Sequence, residues 1–79
     1  MKKVRVFTKE DKLLLAIAFL NAGIKARMKM LNFGVRVVFE GPQSAVMAVL
    51  NAEGFLSSSG EAFGVYSFQG NQAFVRYVA

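Results

Sequence analysis

The sequence predicts an α+β fold in which two helices pack on one face of an antiparallel sheet, and three observations carry that prediction. Two apolar segments run to a glycine with almost no wet side, as buried helices do. Five segments alternate in polarity with the period of two that a half-buried strand requires. The two kinds follow one another in the order β-α-β-β-α-β-β. That order is the one found in a ferredoxin-like split βαβ sandwich, here with one strand added at the C-terminus.

Val4, Val6 and Thr8 alternate with Lys3, Arg5 and Phe7, so residues 3–7 read as a first strand with valines inward and a basic, aromatic outer side. Thr8 and Asp11 have the capping-box spacing, in which the hydroxyl takes an orphan helix N–H and the carboxylate reaches back to the cap. Glu10 and Asp11 also place negative charge in the positive first turn. The helix these residues start runs from about Lys9 to Ala22, with Gly23 at its C-cap.

Inside it, Leu13 through Leu20 are all apolar. Leu13, Ala16, Ile17 and Leu20 form one stripe, and Leu14, Leu15, Ala18, Phe19 and Ala22 carry the apolar surface around more than half the circumference. One small sheet covers only one side of a helix. Leu14, Leu15, Ala18, Phe19 and Ala22, joined by Met47 of the second helix, are therefore the candidate interface with a second subunit or another protein.

From Ile24 the period changes. Ile24, Ala26, Met28 and Met30 alternate with Lys25, Arg27, Lys29 and Leu31, a strand with one apolar and one strongly basic side. The same residues are good helix formers and could extend the first helix; Gly23 and the strict alternation select the strand. Asn32-Phe33-Gly34 reads as a hairpin turn, and Val35, Val37 and Phe39 face inward on the next strand. Gly41-Pro42 opens a second helix over residues 42–53, with Val46, Val49 and Leu50 inward and Gly54 as its stop. Phe55 and Leu56 fold back against its last turn, and Leu56 to Glu61 read as a polar loop. A closing hairpin joins 63–68 to 72–79 through Gln69-Gly70-Asn71.

The composition bounds what such a domain can do. The 79 residues make one domain, 1–79, near the lower limit for a core without disulfides or metal. Cysteine and histidine are absent, which removes thiol nucleophiles, imidazole bases and zinc sites built on either residue. The five carboxylates show neither paired-acid spacing nor a calcium-loop signature, and the glycines form no phosphate-binding series. No metal, cofactor or catalytic group is therefore expected, and the chain reads as a binding protein rather than an enzyme. Eight consecutive apolar residues fall short of the roughly 20 a membrane span requires. Lys9 to Lys12 interrupt the run that a leader peptide would need, so the chain reads as soluble, unprocessed and cytoplasmic.

A formal charge of +5 favours an acidic partner, either nucleic acid or an acidic protein surface. The strand pattern gathers Lys3, Arg5, Phe7, Lys25, Arg27, Lys29, Arg36, Phe74 and Arg76 on the sheet face opposite the helices, with Glu40 as the one acid among them. Rings that stack on bases beside cations that meet phosphates are the equipment of single-strand binding, and Tyr66 and Phe68 extend the candidate stacking set. A solvated sheet face is also polar without any partner. The competing functional reading is a homodimer, or an inhibitor that occupies a partner's surface, using the apolar helix. Ala73-Phe74-Val75-Arg76-Tyr77 resembles the second half of the RNP1 motif of RNA-recognition-motif domains. It departs where Gly70, Asn71 and Gln72 replace that family's basic residue, glycine and aromatic, and in lying on the last strand; no residue role is taken from it.

Overall fold

The computed structural model describes residues 7–32, 34–56 and 64–77. They form, in order, α1 (Lys9–Asn21), β1 (Ala26–Leu31), β2 (Gly34–Phe39), α2 (Gln43–Ala52), β3 (Phe55–Leu56), β4 (Gly64–Gln69) and β5 (Gln72–Tyr77). The fold is α+β. The sheet order is β1-β2-β5-β4-β3; among the first four strands in that order each neighbouring pair is antiparallel, and the two-residue β3 joins β4 in parallel.

Local chemistry explains most of the boundaries. Thr8 Oγ1 accepts from the Asp11 N–H at 3.2 Å, and the Thr8 N–H donates to Asp11 Oδ2 at 2.9 Å, which closes the capping box reciprocally. Gly23 follows the end of α1 at φ 74°, a backbone state that turns the chain from helix into β1. Residues 26–31 are strand, not a continuation of α1. Pro42 is the N-cap of α2 rather than its first helical residue. Gly70, at φ 60°, is the first of the two residues linking β4 to β5, the position a type II′ hairpin turn reserves for glycine. Gln43 Nε2 donates to the Gly70 carbonyl at 2.8 Å and ties the start of α2 to this turn.

The core lies between the helices and one face of the sheet. Leu15 and Phe19 of α1 and Val46 and Leu50 of α2 meet Val35, Val37 and Phe39 of β2, Tyr66 of β4, and Ala73 and Val75 of β5, all buried. Tyr66 keeps its hydroxyl satisfied by donating to Asn51 Oδ1 at 2.8 Å, a bond from sheet to α2. At one end, the Phe7 ring stacks on Tyr77 at 4.8 Å and on Phe55 at 6.0 Å between centroids. Tyr77 Oη in turn donates to Asp11 Oδ1 at 3.0 Å, so the residue that caps α1 also fixes that helix to β5.

Three expectations are corrected here. The ferredoxin-like strand order is not formed: β5 pairs directly with β2, in the place which that arrangement gives to the N-terminal strand. Residues 3–6 of the expected first strand lie outside the described residues, as does the 57–61 loop, and Phe7 is a core residue. Leu56, expected to open the polar loop, instead pairs with Val65, so that Phe55 and Leu56 beside α2 form the short strand β3.

Candidate nucleic-acid interface

Because side chains alternate along a strand, burying Val35, Val37, Phe39, Ala73 and Val75 against the helices commits their neighbours to the opposite side. Lys29 pairs with Arg36, Arg36 with Phe74, and Phe74 with Ser67, so these four residues form one row across β1, β2, β5 and β4. At a strand spacing near 4.8 Å the row is about 14 Å long. Arg27, Val38, Gln72 and Gln69 form the parallel row beside it. Arg27, Lys29 and Arg76 are exposed, while Arg36 and Phe74 are half-buried.

The centre of the row is an arginine-aromatic pair. The Arg36 guanidinium carbon lies 5.5 Å from the centroid of the Phe74 ring, a cation-π contact between neighbouring strands. Arg36 Nε is buried and has no hydrogen-bond partner among the described residues. An unpaired buried donor of this kind costs on the order of 1–3 kcal/mol.

Among the other residues assigned to this face, Lys25 is exposed just ahead of β1, and its carbonyl accepts from the Glu40 N–H at 3.0 Å, which continues the β1–β2 ladder by one bond. Lys3 and Arg5 lie outside the described residues. Phe7 cannot serve as a stacking platform, because it is 3% exposed and held between Phe55 and Tyr77. Tyr66 and Phe68 belong to the covered face, where they make edge contacts with one another and Phe68 meets Phe39. Phe74 is the ring from that set which remains on the open side.

A hollow missed in the sequence adjoins Phe74. Its lining on the open side comes from Leu31, Gly34, Val65, Ser67, Phe74 and Arg76. Gly34 lies on its lining, where β5 approaches too closely for a side chain: a Cβ there would run into the Val75 carbonyl oxygen and Arg76 Cβ. Val65 and Arg76 are cross-strand partners on its far wall. The signal in the sequence was a glycine at the first position of a strand, which reads equally as a turn residue.

The second surface belongs to α1, where Leu14 and Ala22 of the expected interface, with Met47 of α2, are exposed and Leu15 and Phe19 are not. Leu15 and Phe19, assigned to an interface, are 2% and 1% exposed and belong to the core. Leu13, Ile17 and Leu20, assigned to the core stripe, are 60%, 43% and 75% exposed, and Leu14 is 61% exposed. Ala22 is exposed, Ala18 half-buried, and Met47 on α2 sits just at the exposed side. Leu20 also borders a groove between the end of α1 and β1, where Ala16, Ile24, Ala26 and Met28 contribute apolar walls.

Among the described residues, no group of three or more acidic side chains could hold a metal ion, and no helix is long and apolar enough to cross a membrane. No family model, curated protein or solved structure matches the chain.

Proposed function

We propose that this chain is a small non-catalytic binding module that contacts RNA or DNA through the open face of its sheet. The observation that carries the reading is the row Lys29, Arg36, Phe74, with the guanidinium packed on the ring and Arg27 and Arg76 exposed beside it. Cations at this density supply phosphate contacts, and an aromatic ring among them supplies a stacking surface that any base can use. With three or four phosphates engaged on a single strand, log K falls against log salt with a slope of about −2 to −3. Fluorescence anisotropy of a labelled single-stranded oligonucleotide tests this. Replacing Arg27 and Lys29 together by Glu should weaken binding and reduce the slope by about 1.4, the loss of two phosphate contacts. The absence of any salt-sensitive complex with the wild type refutes the reading.

A second reading rests on α1. Four large aliphatic side chains exposed on adjacent turns form a patch of the kind that marks protein contacts, either a second copy of this chain or the surface of a different protein. Sedimentation distinguishes these: a homodimer requires a mass above 8.7 kDa that Leu20→Lys returns to the monomer value, whereas a wild-type monomer leaves only a foreign partner. The two readings are compatible, since the patch and the basic face lie on opposite sides of the sheet.

A further inference from the structure

We infer that the hollow beside Phe74 is a pocket for one unpaired nucleobase, which makes the ligand a single strand rather than a duplex. This inference rests on the nucleic-acid reading above and adds to it a specific site. The hollow is lined on the open side by apolar Leu31, Val65 and Phe74, by Gly34, which carries no side chain, and by the polar residues Ser67 and Arg76. A flat, partly apolar ring with polar edges matches this lining: its face lies on Phe74, and its edge atoms reach Ser67 and the backbone at Gly34. Charge fixes what must be attached to that ring. Arg76 lines the hollow from β5, and Arg36 and Lys29 continue from Phe74 across β2 and β1, so the cations flank the ring on two sides, as phosphates flank a base within a chain. A base within a duplex has both faces covered by its neighbours and cannot enter; a base in a single strand can.

The test compares three probes on the intact chain by anisotropy: a short single-stranded oligonucleotide, the same length of abasic backbone, and the corresponding duplex. Stacking of one base should make the single strand bind about tenfold more tightly than the abasic probe of equal charge. The single strand should also bind more tightly than the duplex. Phe74→Leu keeps an apolar side chain at this half-buried position, and circular dichroism verifies that it folds. It should abolish the difference between base-bearing and abasic probes while leaving the salt slope unchanged. A 2-aminopurine base in the strand should show fluorescence quenching with wild type and none with Phe74→Leu. Equal, salt-sensitive binding of single-stranded and abasic probes overturns the pocket and leaves the electrostatic reading intact. If none of the three probes binds, both are overturned.

Discussion

The two faces of the sheet use aromatic rings in opposite ways. On the covered side Phe7 stacks on Phe55 and on Tyr77, Phe68 meets Phe39 and Tyr66 edge to face, and each tyrosine hydroxyl reaches a partner on a helix, Asn51 for Tyr66 and Asp11 for Tyr77. On the open face Phe74 has a guanidinium for a neighbour and a hollow at its side. The first arrangement satisfies its own groups and holds the fold together; the second leaves a half-exposed ring and a buried donor unpaired among the described residues. The contrast separates residues that stabilise from residues available to a ligand, although both sets are basic or aromatic in the sequence.

The same division runs through α1, and the largest expected effect lies there. Leu14 and Leu15 are adjacent and identical in composition, yet only Leu15 is buried. Leu15→Ala should cost about 2–5 kcal/mol in urea unfolding, and Leu14→Ala no more than about 0.5 kcal/mol. Equal losses at the two positions would mean that the helix does not turn this side to the sheet. Next, Tyr66→Phe removes the bond to Asn51 and should lower stability by about 1 kcal/mol in the same assay. Thr8→Ala removes the cap hydroxyl at a similar cost, about 1 kcal/mol, with helix signal in circular dichroism falling at the α1 end. The smallest stability effect belongs to the open face: Arg27→Glu with Lys29→Glu should shift unfolding by about 0.5 kcal/mol or less, because both are exposed, while weakening oligonucleotide binding.

These contrasts also mark how far the sequence could be read. The capping box of Thr8 and Asp11, the helix end at Gly23, the hairpin turn at Gly70 and the alternation along β1, β2 and β5 were legible, because each depends on a few neighbouring residues. The facing of α1 was not. A helix apolar nearly all round carries no periodicity to choose a side, and the choice follows from Asp11, Leu15 and Phe19 lying at successive i, i+4 positions, with Asp11 bonded to Tyr77 on a distant strand. The sheet order was hidden for a related reason: the pairing of β5 with β2 joins segments more than thirty residues apart, and alternation says which face a residue takes but not which strand lies beside it. Strand parity alone puts Phe7 on the open face, whereas at the entry to α1 its ring turns into the core between Phe55 and Tyr77. On the candidate interface, the cations of β1 and Arg36 could be grouped in advance. The hollow at Gly34 needed β5 beside β2 to exist at all.

Oligonucleotide contacts are expected to concentrate on the open face and to leave the exposed side of α1 untouched. Amide chemical-shift mapping of the isotopically labelled chain, titrated with a short single-stranded oligonucleotide, tests it most directly. Perturbations are expected to cluster at Arg27, Lys29, Arg36, Ser67, Phe74 and Arg76, with Leu13, Ile17 and Leu20 unmoved. Perturbations confined to α1, or none at saturating oligonucleotide, would contradict it.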